Sequence, residues 1–284
     1  MRKISEQFLQ GLQTGFLSPV TQLAREDHDL DLEIRENEIN LYFKGHALLR
    51  LREKAGHEYA VNLHPKFKTG LDIPEALTDK KSVEQFLSLV PFIKLNVQKV
   101  SGHSIEAEYE QMIIRANNFE RRSNTEYFIL DRQYVVNEGR FDLTGFYWPN
   151  PGRRSGQEVT MCLMEVKFGL NTDIANLDEQ VSRYYAAVKP RAAYLAEEGE
   201  SILRQKLELG LFDQSPARLA AMKTLRFSRD ISSFQFIIFL VDFNPYSQLF
   251  NLNRIKSLPF ANQVRIYTGG FALWNANIRP VMEI

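Results

Sequence analysis

Two acidic-x-lysine triplets occur in the chain: Asp79-Lys80-Lys81 and Glu165-Val166-Lys167. Each could hold a carboxylate beside an amine, so the surrounding residues must decide whether that pairing has fixed geometry. Asp79 lies in a polar stretch just before a helix, where nothing orders it, and reads as solvated surface. Glu165 lies in Met161-Cys162-Leu163-Met164-Glu165-Val166-Lys167-Phe168, a strand candidate. Alternation along a strand puts Glu165 and Lys167 on one face, with Val166 and Met164 on the other.

A second carboxylate can be placed beside them. Phe141-Asp142-Leu143-Thr144 is also strand-like, and the loop between the two strands contains Pro-Gly-Arg-Arg-Ser-Gly. A hairpin symmetric about residues 153 and 154 pairs positions whose numbers sum to 307, which Asp142 and Glu165 satisfy. They would then lie opposite one another with side chains on the same face. Adjacent carboxylates repel unless something positive lies between them. Mg²⁺ or Mn²⁺, which prefer carboxylate and water oxygens, would serve. Lysine nearby could orient a water or meet charge developing on a phosphate, the arrangement of metal-assisted phosphodiester hydrolysis. Spacing alone does not separate this site from a cross-strand ion pair in which Lys167 neutralises the acids.

Gly139-Arg140-Phe141-Asp142 followed by Glu165-Val166-Lys167 resembles the signature of the PD-(D/E)XK, or restriction-endonuclease-like, nuclease superfamily. The resemblance implies Asp142 and Glu165 as metal ligands, a contribution from the Val166 carbonyl, and Lys167 serving the water or phosphate. Phe141 stands where the family often has proline. Gln180 and Tyr184 have the Q-x-x-x-Y spacing of the RecB-type branch, where these residues position substrate and site; four apart, they are neighbours on one helix. The family also often carries a glutamate on the preceding helix. Glu106, Glu108 and Glu110 compete for that role. A stripe through Ile105, Tyr109, Met112 and Ala116 places Glu108 on its flank, Glu106 slightly further off and Glu110 outward, which favours Glu108 as a further metal ligand.

Positioning these residues takes an α/β architecture. Residues 1–100 read as an amphipathic helical start broken near Gly15 and Pro19, then an antiparallel meander at 30–34, 39–43, 48–51 and 59–63, then a helix from Ser82 to Val90. Residues 101–284 read as a nuclease-like core. It has a helix from about 103, strands at 126–136, 140–148 and 159–168, and a helix at 173–188. Further helical sequence runs to about 225, before a doubly buried strand at 234–243 and a last pair at 264–267 and 271–274. The order matches the αβββαβ mixed-sheet core that the resemblance implies.

Composition narrows the partners. Lys plus Arg equals Asp plus Glu at 35 each, which lowers the expectation of tight non-specific nucleic-acid binding but leaves room for a local basic patch. The expected substrate is nucleic acid, DNA before RNA. A catalytically silent nuclease fold that binds nucleic acid or protein is the alternative. The N-terminal module could dock a second copy or a larger assembly. Cys162, the single cysteine, excludes an intrachain disulfide and cysteine-rich metal sites, and fits the core of a reducing, cytoplasmic protein. No apolar run reaches the roughly 20 residues of a membrane span. The five histidines lack zinc spacing, and no Gly-rich phosphate loop appears.

Overall fold

A computed structural model describes residues 1–100, 105–120, 124–136, 139–150, 153, 158–244 and 246–270. The chain opens with α1 (Glu6–Gln13), capped by the Ser5 hydroxyl accepting the Phe8 amide, and α2 (Ser18–Glu26). Pro19 begins α2 rather than breaking it, because the first turn needs no donor there. The meander forms as β1 (Leu30–Arg35), β2 (Glu38–Phe43), β3 (His46–Glu53) and β4 (Tyr59–Asn62), with an unanticipated two-residue β5 (Ala76–Leu77) completing an antiparallel sheet in that order. Helix α3 (Lys80–Val100) continues through Pro91, where the sequence predicts an end. Its buried stripe of Val83, Phe86, Val90, Ile93 and Val97 runs past the proline, so packing outweighs the lost hydrogen bond. Asp79 caps this helix by accepting the Ser82 amide, so the first acidic-x-lysine triplet is a helix start.

The second half is α4 (Ile105–Asn118), β6 (Tyr127–Val136), β7 (Gly139–Tyr147), β8 (Glu158–Phe168), α5 (Leu177–Val188), α6 (Ala192–Glu208), α7 (Pro216–Met222), β9 (Arg226–Phe227), β10 (Gln235–Val241), α8 (Leu252–Lys256) and β11 (Val264–Gly269). Its mixed sheet runs β11-β10-β8-β7-β6, with β9 beside the start of β8. Strands β6, β7 and β8 are antiparallel neighbours, whereas β10 is parallel to both β8 and β11. Alternation sorts the sheet's side chains. Met161, Leu163, Phe236 and Ile238 enter one core with α5 and α6, while Cys162, Met164, Val166 and Ile237 meet α4 in another. The strand expected at 271–274 lies outside the described residues. No helix among the described residues is long and apolar enough to cross a membrane.

The two halves meet through buried charge. Asp31 and Glu33 alternate with Leu30, Leu32 and Ile34, but their face is covered. Asp31 accepts from Arg132 at 3.0 Å, and Glu33 pairs with Lys206 at 2.8 Å. Arg2 and Arg35 converge on Asp131, whose carboxyl they hold below the usual range despite its burial. Burial pushes Glu33 up to about 8, against the pull of Lys206. Such pairs are costly to break from one side, about 3–5 kcal/mol each. Leu209 and Leu211, at and beyond the end of α6, enter the N-terminal core, so packing crosses the expected boundary at residue 100.

Candidate active site

The β7–β8 hairpin adopts the expected register. Leu143 faces Met164, Thr144 faces Leu163 and Gly145 faces Cys162, so partner numbers sum to 307. Beyond Leu143 a side chain takes over from the backbone: Asp142 Oδ2 accepts the Val166 amide at 2.9 Å. Glu165, one residue before that amide, joins Asp142 and Lys167 in lining one cleft of about 710 Å³. Lys167 Nζ sits 2.6 Å from Glu165 Oε1.

Helix α5 closes the cleft from one side. Gln180 Nε2 donates to Glu165 Oε1 at 2.5 Å and to Tyr184 Oη at 2.7 Å. The Tyr184 hydroxyl has one proton for two acceptors, the Arg140 carbonyl at 2.8 Å and Glu165 Oε2 at 3.1 Å. This places the Q-x-x-x-Y pair on the glutamate itself. Gly139 permits the close approach: a Cβ there would lie 3.1 Å from Tyr184 Cδ1.

The site is electrostatically loaded. Burial, then the neighbouring charges of Glu165 and Glu110, push the Asp142 carboxyl up to about 8, against the Val166 amide and Lys167. Burial likewise holds Glu165 above the usual carboxylate range, against Lys167, Tyr184 and Gln180. Burial alone would lower the Lys167 ammonium, but Glu165 and Asp142 outweigh it and keep it raised.

The helix glutamates require a correction. Glu108 does not line the cleft; it is half-exposed and pairs with Lys44 of the N-terminal half at 3.1 Å. Glu106 lines the cleft instead, accepting the Phe168 amide at 3.1 Å and the Asn171 amide group at 3.0 Å. Glu110 does not point outward. It is buried against Arg132 at 2.7 Å and Gln133 at 3.1 Å. The error has a physical source. Helix α4 buries Glu110, Ile114 and Asn118, while Ile105 and Met112 are exposed, so its inward face is partly polar and an apolar count misplaces it. Arg132 and Gln133 were missed too. The signal was Asp131-Arg132-Gln133 interrupting an otherwise apolar strand. Cys162 is fully buried, with its thiol raised well above the ordinary value by that burial.

Among the described residues, no three His, Cys, Asp or Glu side chains converge closely enough to hold a metal by themselves. The donor set still fits a hard cation that keeps waters, as Mg²⁺ does with one or two carboxylates. Asp142 and Glu165 would hold it, with the Val166 carbonyl available between Glu165 and Lys167. Comparisons with protein-family models, curated proteins and solved structures returned no match.

Proposed function

We propose that this chain is a Mg²⁺- or Mn²⁺-dependent nuclease with a restriction-endonuclease-like core, acting on DNA before RNA. The observation that carries the reading is the Asp142–Glu165 carboxylate pair, raised in pKa and opening with Lys167 into one cleft. The order α4, β6-β7-β8, α5 and later β10 supports the αβββαβ core. A bound divalent cation would supply charge neutralisation for the reacting phosphate and lower the pKa of a coordinated water.

The protein's own residues do the rest. Asp142 and Glu165 would hold the cation and give up the proton that burial now favours. Gln180 and Tyr184 fix the rotamer of Glu165, so the pair is preorganised rather than assembled at each turnover. Lys167, 2.6 Å from Glu165 at rest, would meet the water or the phosphate oxygen where negative charge builds. Water oxygen bonds to phosphorus, the bond to the leaving ribose oxygen breaks, and the water proton ends on that leaving group or in solvent.

The test is incubation of purified protein with single- and double-stranded DNA and RNA, each with Mg²⁺, Mn²⁺ or EDTA. Metal-dependent cleavage that EDTA stops is the expected result. Tight binding without cleavage of any of the four would favour the second reading, a nuclease-fold binding module. The observation on that side is the Lys167–Glu165 contact at 2.6 Å, which is also what a purely structural ion pair looks like.

A further inference from the structure

The cleft at Asp142 is lined by three carboxylates, Glu106, Asp142 and Glu165, and by three cations, Arg140, Lys167 and Arg183. Lys167 is taken up by Glu165 at 2.6 Å. The two arginines are exposed, and among the described residues neither pairs with a carboxylate, although three share their cleft. Both have a fixed base. The Arg140 carbonyl accepts the Tyr184 hydroxyl at 2.8 Å. Arg183 belongs to one stripe of α5, formed with Gln180, Tyr184 and Ala187, that faces the cleft. It stands about 4.5 Å along the helix axis from Gln180, which donates to Glu165.

Arg183 has a ready partner that it does not use. Glu179 stands four residues before it, the order and spacing that favour an ion pair on a helix. Glu179 pairs instead with Arg254 of α8 at 3.2 Å, and the same guanidinium takes Asp178 at 2.9 Å. Both acids of the first turn of α5 are thus drawn to α8, and Arg183 is left to the cleft. A phosphodiester entering the cleft would be repelled by its carboxylates unless positive charge offset them. Arg140 and Arg183 are the lining cations that no described carboxylate neutralises, and the planar guanidinium fork matches phosphate oxygens.

We infer that Arg140 and Arg183 form a two-arginine clamp on the substrate backbone, holding phosphates next to the one that lies over the Asp142–Glu165 pair. The inference rests on the nuclease reading for its ligand, a nucleic-acid strand, and names the residues that carry its binding. The clamp acts on affinity, through phosphates that do not react, whereas Lys167 acts on the one that does. Its signature is therefore the salt dependence of binding, which counts phosphate contacts and which a purely structural role would not move.

The experiment measures affinity of the full chain for a fluorescein-labelled DNA duplex across a salt series, with EDTA present, and cleavage of the same duplex with Mn²⁺. The variants are Arg140→Ala/Arg183→Ala and, as a control of equal charge change at exposed positions in the N-terminal half, Lys66→Ala/Lys68→Ala. Losing two phosphate contacts makes the plot of log affinity against log salt shallower by about 1.8. That change is expected for the clamp variant and not for the control, at a temperature where melting curves show all proteins folded. Should the double variant not fold, Arg140→Ala and Arg183→Ala are each expected to lower the slope by about 0.9. An equal change in clamp variant and control, or none in either, overturns the clamp. Cleavage that depends on Asp142 with an unchanged clamp slope also overturns it, and leaves the nuclease reading standing. A reduced clamp slope in a protein that cuts nothing supports the clamp and overturns the hydrolysis. A wild type that neither binds nor cuts the duplex overturns both.

Discussion

The Asp142 carboxylate accepts the backbone amide of Val166 at 2.9 Å, across the β7–β8 hairpin. Val166 is the residue between Glu165 and Lys167, so this one bond ties the first carboxylate to the backbone that carries the second. The bond occupies Asp142 Oδ2 and leaves Oδ1 without a bond to that amide. It also sets what a substitution at each neighbouring position should do.

Lys167 is the position where catalysis and folding should separate. Its ammonium touches Glu165 in the resting site, but the account gives it work in the transition state. Lys167→Ala should lower turnover on a cleavable nucleic acid by about 10²–10³. Turnover is compared at a temperature where melting curves show both proteins folded. Equal turnover in variant and wild type, measured under single-turnover conditions, would move the chemistry away from this cleft.

Glu106 and Glu108 are two residues apart and should behave differently. Glu106 accepts two hydrogen bonds that fix the chain after Lys167, whereas Glu108 pairs with Lys44 outside the cleft. Glu106→Gln should weaken Mn²⁺ affinity or activity by roughly 10–100-fold, the usual cost of losing a residue that orients metal ligands. Glu108→Gln should leave both near wild type. Reversed sensitivities would restore the helix face that the apolar count favours.

Glu33 makes stability depend on pH. Its carboxyl is raised by burial from 4.5 to about 8, so the folded state holds a proton that the unfolded state has released across that window. Stability from this group is full below about 4.5 and is lost as pH rises through about 8. The melting-temperature advantage of wild type over Glu33→Gln should therefore shrink between pH 5 and pH 9. A difference constant across that range would mean Glu33 is charged throughout.

Much of the site was legible because strand geometry is periodic. A period of two puts Glu165 and Lys167 on one face, and the turn centre sets the register that brings Asp142 opposite. Gln180 and Tyr184 come from the family resemblance, with helical spacing making them neighbours, and both reach Glu165. Legibility failed where burial is polar. Asp31, Glu33, Glu110, Asp131 and Arg132 are buried as a charged network, and a reading that equates polar with exposed cannot see it. That failure chose Glu108 over Glu106 and hid the seam between the two sheets. Helix α3 shows the converse, an apolar stripe strong enough to carry a helix through Pro91.

The central claim is that Asp142 and Glu165 together hold a divalent cation, and calorimetric titration with Mn²⁺ tests it most directly. Wild type, Asp142→Ala and Glu165→Ala are titrated at the same pH, each first shown to melt cooperatively. The account predicts binding in wild type that either substitution weakens strongly. Equal Mn²⁺ binding by all three proteins would contradict it, and would leave Asp142, Glu165 and Lys167 as a buried ion-pair cluster.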